Sequence, residues 1–535
     1  MNMTDKSINR GNNFLAAALY KLVPIIFLII GIYVFFGPII TSKFDYIWAD
    51  DCDGLYQMYI YEHIYLFLKH ESPHLSLFSP PFFFPNKDTL LYCDTFLSIS
   101  PIYIFFRHFF TESISFSLLL MTAITLDYTV LYFLLRNKFK FNIFASTIGA
   151  YILTFSVFNY VNLTYDHHSQ LLYTFFILIS LYALLSINKH NSLIKNIFCV
   201  NVFYIFIVLS VYCTYVLTWY YCFSIFIFCL GMLLFKKSRR KLFIFIRRFY
   251  LLFILNIIPA LILLSPLVYH YLQTGRIGWW YYSTLTIGGF LTNYSIYFAP
   301  LQHLNNPQSI EHNSSVEYIT FIIGLIGIWQ SKKYRKPLFA FLIIIFLLAI
   351  SFKNYAYSIW MYIHQYFPGA NGIRTNERII IIFHFIMAFG CANFINNIVN
   401  SKNSIKKIVL GILISAVICV GQLSFLKGYG YTQAVNIYDN VIKVRFMDLD
   451  RYSQLIQDNK CEVIQFKFNL PDEGQLTEAF NDALTMNVMW LALKNKVYII
   501  NGYSSYVPGN VEDKLTPEMK KKVCTFEETF NRIWL

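Results

Sequence analysis

The sequence VPIIFLIIGIYVFFGPII, Val23–Ile40, runs for eighteen residues without a charge, and ADDCDGLYQ, Ala49–Gln57, follows shortly after it. An apolar helix of that length is enough to cross about 30 Å of hydrocarbon. Three carboxylates directly beyond it cannot share that hydrocarbon cheaply, so they are expected to face water or a polar cavity. The acidic stretch continues to Thr95 and also carries Glu62-His63, Asp88 and Asp94. No small-residue cleavage site follows Ile40, so an uncleaved span is expected here rather than a signal peptide.

The rest of the chain fits this reading. Of 535 residues, 57% are hydrophobic and only 13% charged, against about 25% charged in soluble domains. The formal charge of +14 would suit nucleic acid if it formed a surface. Instead the cations occupy short loops between apolar runs, which is a topology signal, so the expected partner is a lipid bilayer and no nucleic acid.

The apolar runs lie at 23–40, 113–135, 141–161, 169–187, 196–212, 214–235, 249–271, 316–331, 337–352, 378–396 and 407–425. The run at 96–110 is interrupted by Pro101 and Arg107 and is expected to be an interfacial helix. With that choice the basic loops, including 136–140, 236–248, 332–336 and 402–407, all fall on the side of the N-terminal tail. The positive-inside rule then makes that side cytoplasmic. The expected fold is an α-helical polytopic membrane protein of about 11 transmembrane helices with a small α/β C-terminal extracytoplasmic domain. Its expected parts are a cytoplasmic tail 1–22, a transmembrane domain 23–425 that includes the external loop 42–112, and the extracytoplasmic segment 426–535. Within the last, alternation predicts strands at 463–470 and 497–501 and a helix over 481–493. Six of the ten cysteines lie in or beside apolar runs. Cys52 with Cys93, and Cys461 with Cys524, would form two disulfides in an oxidising compartment, or remain four thiols.

Three clusters carry candidate chemistry. Asp50, Asp51 and Asp53 suit a general base, alone or with a metal ion, and equally a helix-capping acidic turn. Tyr165-Asp166-His167-His168 forms a short external turn whose side chains suit a metal, a phosphate or simple helix termination. Gly372-Ile373-Arg374, with Arg378, precedes a span. The planar, permanently charged guanidinium there suits a lipid phosphate or ordinary head groups. Arg276 with Trp279-Trp280 is a weaker version of the same pattern. No Gly-rich phosphate loop, CxxC pair or GxSxG elbow occurs, which argues against an ATP-driven pump or a serine hydrolase.

Taken together, Asp53-Gly54-Leu55-Tyr56-Gln57, Phe84-Pro85-Asn86-Lys87-Asp88, His168-Ser169-Gln170, Gly372-Ile373-Arg374 and Asn501-Gly502-Tyr503-Ser504-Ser505 resemble GT-C-type integral membrane glycosyltransferases, and more closely a group of bacterial membrane proteins of that type. The resemblance implies transfer of a sugar from a polyprenyl-phosphate-linked donor to an extracytoplasmic glycan or lipid-linked acceptor, such as lipopolysaccharide O-antigen, at the bacterial inner (plasma) membrane. It implies Asp51 or Asp53 as base; Asp50, Asp94, Asp166 and His167 shaping the acceptor or a metal; and Arg374 and Arg378 on the donor phosphate. No cofactor is fixed by it, and a divalent cation (Mg or Mn) is the one such an acidic set would take. Where many such enzymes carry two acidic residues in the second external turn, this chain has one, in Asp166-His167-His168.

Two other classes remain open at the level of sequence: a lipid-linked oligosaccharide flippase or polymerase, and a non-enzymatic envelope assembly factor. Spans almost free of charge, with Asp127 and the His384 region the main exceptions, argue against a polar path for transport.

Overall fold

The computed structural model of the chain describes residues 3–48, 52–164, 168–274, 285–286, 318–352, 357–373, 376–400, 411, 413, 415, 435–436, 449–470, 475–504, 508 and 511–529. It is a helical membrane protein. Among the described residues, six helices are long and apolar enough to cross a bilayer. They are α1 (Met3–Thr41), with its apolar part from Tyr20, α4 (Glu112–Asn137), α8 (Leu193–Cys213), α9 (Tyr215–Leu233), α10 (Lys236–Gln273) and α14 (Ile380–Val399).

Shorter helices occupy the remaining apolar runs. The 141–161 run is divided into α5 (Ile143–Thr154) and α6 (Val157–Thr164). Asn159 fixes the break, its Nδ2 donating to the free carbonyls of Leu153 and Thr154 at the end of α5. The 169–187 run is a single 3₁₀ turn followed by α7 (Phe175–Leu184). Helices α11 (Tyr318–Gln330), α12 (Arg335–Ala349) and α13 (Ile359–Tyr366) precede α14. Most of the 407–425 run lies outside the described residues.

Helices α11 and α14 cross at glycines. A Cβ on Gly327 would sit 1.8 Å from the carbonyl oxygen of Gly390, and one on Gly390 would sit 2.2 Å from that of Gly324. Only hydrogen fits there, as in small-residue crossings of membrane helices. Asn393 Nδ2 then donates to the Gly327 carbonyl at 2.8 Å, a bond that needs the same close approach.

The first loop carries its own structure. Helix α2 (Asp53–Leu68) is buried all round from Gly54 to Tyr65. Helix α3 (Ser100–Arg107) is too short to span and exposes Phe105, with Phe109 and Phe110 just beyond it, as an interfacial helix should. Arg107 clamps the two together, giving two hydrogen bonds to the buried Glu62 carboxylate at 2.9 and 3.1 Å while Tyr103 Oη donates to it at 2.7 Å. The carboxylate thus has fork-shaped charge-assisted partners instead of water.

The C-terminal segment folds against this loop. Helix α15 (Leu449–Asp458) and helix α16 (Gln475–Asn495) accompany a three-stranded parallel sheet. Its strands are β1 (Val463–Asn469) in the centre, β2 (Tyr498–Ile499) on one edge and β3 (Val523–Thr529) on the other. The Cys461–Cys524 disulfide ties the start of β1 to β3. Cys52 and Cys93 are not bridged, so only the second pairing forms. The edge at β2 is covered by the first loop: Ile499 N donates to the Pro81 carbonyl, and Phe84 N to that of Ile499. Tyr59, Phe82 and Trp490 fill the seam, and a Cβ on Gly502 would lie 2.6 Å from the Phe83 ring. One continuous core therefore includes α2 and the sheet.

The two ends of the bundle differ in charge. The C-terminal ends of α1 and α10 and the N-terminal ends of α4 and α9 meet the first loop, as His270 near the end of α10 shows by bonding Asp88 at 2.9 Å. The opposite end carries Arg136, Lys138 and the start of α10. Residues 236–248, expected as a basic loop, are helical and continuous with the span.

Candidate functional site

Asp53 is the first residue of α2, where a carboxylate complements the unpaired N–H groups and the positive end of the helix dipole. One turn on, Tyr56 and Gln57 point into the same space. Together they form one side of a cavity of about 730 Å³, lined also by Asp94, His168, Gln170, Arg378, Asp482 and Tyr503. That volume suits a ligand of several hundred daltons. The opposite side is apolar: Leu264, Leu267, Val268 and Tyr271 of α10 with Val211 and Val216. One side is therefore acidic and polar, and the other belongs to a helix whose outer face is exposed hydrocarbon.

Three features fix the polar side. Tyr503 Oη donates to Asp53 Oδ1 at 2.6 Å, across 450 residues of sequence. Arg378, in the short turn before α14, donates through Nη2 to His168 Nε2 at 2.8 Å. Arginine has no acceptor, so His168 must offer a lone pair at Nε2 and carry its proton on Nδ1. The 3.7 Å separation of His168 Nε2 from Asp53 Oδ2 is then a close contact rather than a hydrogen bond. Behind this row, Gln57 Nε2 donates to Gln170 Oε1 at 3.3 Å, Ser169 Oγ bonds Gln57 Oε1, and Tyr61 and Tyr173 pair through their hydroxyls at 2.9 Å.

Asp94 does a second job. Its Oδ1 accepts from the backbone N–H of Tyr215 at 3.1 Å and its Oδ2 from Thr214 Oγ1 at 3.2 Å. Thr214 is extended and separates α8 from α9, so Asp94 caps α9 from a distant part of the chain. The neighbouring Thr95 Oγ1 donates to the Tyr212 carbonyl at 2.6 Å, securing the same junction.

Tyr56 stands out on the floor. Its ring is buried against Phe82 and Tyr503. Its hydroxyl has no hydrogen-bond partner among the described residues. Burial, with Cys93, Asp53 and Asp94 close by, pushes the phenol well above its ordinary range, so it remains an O–H donor. A buried donor of this kind facing a cavity is set to meet a ligand oxygen.

The structure thus brings Asp53, Asp94 and Arg378 of the sequence-expected set to one cavity, with His168 and Gln170 from the second turn. Asp50, Asp51, Asp166, His167 and Arg374, and the Arg276 cluster, lie outside the described residues. Asp482, Tyr503 and Ser504 were not expected at the site. Asp482 sits in an ordinary helical stretch and gives no local signal. Tyr503 follows Asn501-Gly502, and the glycine against Phe83 is the trace of a close approach.

A divalent cation would want several carboxylate oxygens converging on one point. Among the described residues no group of three His, Cys, Asp or Glu side chains is arranged to hold one, and both Asp94 oxygens are engaged by α9. The described donors alone do not make up such a set, and Asp50, Asp51, Asp166 and His167 lie outside the described residues.

No family model matches this chain. No curated protein matches it either.

Proposed function

We propose that this protein is a GT-C-type membrane glycosyltransferase that moves a sugar from a polyprenyl-phosphate donor to an extracytoplasmic glycan acceptor, a surface polysaccharide such as O-antigen being the class in view. The observation that carries the reading is the divided cavity. Carboxylates and a guanidinium converge on one side, and an apolar helix open to the bilayer forms the other. A phosphate with a long hydrocarbon tail matches both sides at once.

In this reading an acceptor hydroxyl oxygen attacks the anomeric carbon as the bond from that carbon to the carrier phosphate breaks. The hydroxyl proton passes to the Asp53 carboxylate, and the electron pair of the broken bond leaves on the phosphate. Arg378, released from His168, neutralises the charge that develops there, which is the differential stabilisation a transition state needs. Tyr503 holds one oxygen of Asp53 so that the other faces the acceptor, and the product is inverted at the anomeric carbon. No step is routed through a metal.

The wider fold reading goes with it: about eleven spans, a cytoplasmic N-terminus in the bacterial plasma membrane, and a C-terminal α/β domain outside. Two facts support that orientation. Cationic loops gather at the end away from the cavity, and the bridged Cys461–Cys524 pair, which suits an oxidising compartment, belongs to the segment that supplies Tyr503.

The test is transfer from tritiated polyprenyl-phosphate hexoses in membranes containing the full-length protein. Asp53→Asn and Arg378→Gln are expected to lose transfer while remaining in the membrane at wild-type amounts. Full transfer by both would refute the assignment. Lipid-linked oligosaccharide crossing the bilayer with no new glycosidic bond would favour a flippase instead.

A further inference from the structure

Helix α10 is 38 residues long, or about 57 Å at 1.5 Å per residue, nearly twice the roughly 30 Å hydrocarbon core. The excess is at its N-terminal end. Lys236, Lys237, Arg239, Arg240, Lys241, Arg247 and Arg248 lie there within thirteen residues, and α10 contains no carboxylate. All seven are exposed. Among the described residues none of them forms an ion pair.

Cations at the same end of other elements are used differently. Lys138 lies over Tyr182 and bonds Ser186, Arg136 bonds the Phe141 carbonyl, and Arg335 covers Trp329. Those are internal fasteners. Of the seven α10 cations only Arg248 has a comparable contact among the described residues, over the ring of Phe249 at 5.9 Å.

Their placement around the helix is ordered. At 100° per residue the seven fall within an arc of about 200°. Phe245, Phe249, Leu252 and Phe253 occupy the opposite arc and pack near Ile187, Cys199 and Val200 beside α8. The cations therefore point away from the protein body. Phe243 and Ile244 are interleaved among them and exposed, and the helix runs directly into an exposed apolar stretch through Tyr250, Leu251 and Ile254.

We propose that residues 236–248 form a binding site for anionic phospholipid head groups in the leaflet at the basic end of the bundle. The complement is specific in kind. Negative charge is wanted over the outward arc, and acyl chain is wanted alongside Phe243, Ile244 and the apolar helix that follows. An anionic lipid supplies both, a free phosphate only the first. Each cation near such a surface contributes about 1 kcal/mol, so three together are worth roughly a hundred-fold in affinity, and the attraction weakens within a Debye length as salt rises. The site lies at the other end of the molecule from the cavity and does not depend on what the cavity does.

The experiment is native mass spectrometry of the full-length protein in mild detergent, titrated with phosphatidylglycerol or phosphatidylcholine. Wild type is expected to retain phosphatidylglycerol at least tenfold more tightly. The Arg239→Gln/Arg240→Gln/Lys241→Gln variant is expected to lose about a hundred-fold of that affinity at low salt, and Arg239→Lys/Arg240→Lys to keep it. Should the glutamine variant fail to fold, wild type alone decides: its preference is expected to collapse in 0.5 M salt. Equal retention of the two lipids, a preference that survives high salt, or displacement by inorganic phosphate at equal concentration would each overturn the proposal.

Discussion

The sharpest perturbation is Tyr503→Phe. It removes one oxygen and leaves the ring, which keeps its edge contact with Tyr56 at 5.8 Å. What disappears is the 2.6 Å bond to Asp53. A hydrogen bond to a charged acceptor is worth about 1.5–3 kcal/mol. The Asp53 side chain is 41% exposed, so water replaces part of the loss and the low end, about 1.5 kcal/mol, applies. That corresponds to roughly a tenfold change in rate or equilibrium. Two measurements read it. On the proposed reading, hexose transfer should fall about tenfold in kcat with little change in KM, because Tyr503 would act through its bond to Asp53. Unfolding free energy in mixed micelles should fall by about 1.5 kcal/mol, and that loss should shrink below about 0.5 kcal/mol in the Asp53→Ala background. An equal cost in both backgrounds, or a rise in KM at constant kcat, refutes the coupling between loop and C-terminal segment.

Other expectations follow from different parts of the molecule. Tyr56→Phe removes the unmatched hydroxyl in the cavity and should raise KM for transfer without lowering stability; a stability loss above about 1 kcal/mol would mean that the hydroxyl is bonded within the protein. Gly327→Leu should separate α11 from α14 and lower the yield of folded protein in detergent, whereas Gly411→Ala, with its nearest neighbours at 3.4 Å or more, should not. Reduction of Cys461–Cys524, which closes a 63-residue separation, should destabilise the chain by up to about 4 kcal/mol on the loop-entropy model, and Cys461→Ser should make stability insensitive to reductant. The buried His63–His74 pair gives a pH dependence. His63 Nε2 donates to the Leu77 carbonyl, so its Nδ1 accepts from His74 Nδ1 at 2.8 Å and both rings are neutral. Burial lowers His63 from 6.5 to about 4 and His74 to about 3, the latter also through His63. The unfolded chain then binds more protons than the folded one below pH 6.5. Stability should be full above that pH and fall steadily as the pH drops toward 4 and 3, by roughly 3 kcal/mol for the His63 shift; a flat profile between pH 6.5 and 4 would remove the pair from the account.

The membrane elements were legible because their signal is crude. A run such as Val23–Ile40 must be a helix in lipid whatever it packs against. That the 96–110 run makes no full span was legible for the same reason, since Pro101 and Arg107 interrupt it and α3 is only eight residues long. Breaks within runs were hidden, because Asn159 acts through carbonyls that composition does not show. The site was legible in part. Asp53 and Arg378 announce themselves as charges beside hydrocarbon. The use of Asp94 as a remote cap for α9 depends on a contact between residues 120 apart, which no local pattern contains. Asp482 was hidden by the same distance, and Tyr503, though part of a stretch that carries the resemblance, showed no sign of its bond to Asp53.

The bond between Asp53 and Tyr503 also sets a clock. At about 5–20 residues per second, a ribosome needs roughly 20–90 s to travel from one codon to the other. Through that interval α2 is already made and the apolar helices are entering the bilayer, yet the cavity lacks a side. A message that stopped short of Tyr503 would yield a product that enters the membrane with this cavity unfinished. The segment made late thus completes a surface that the segment made early leaves open.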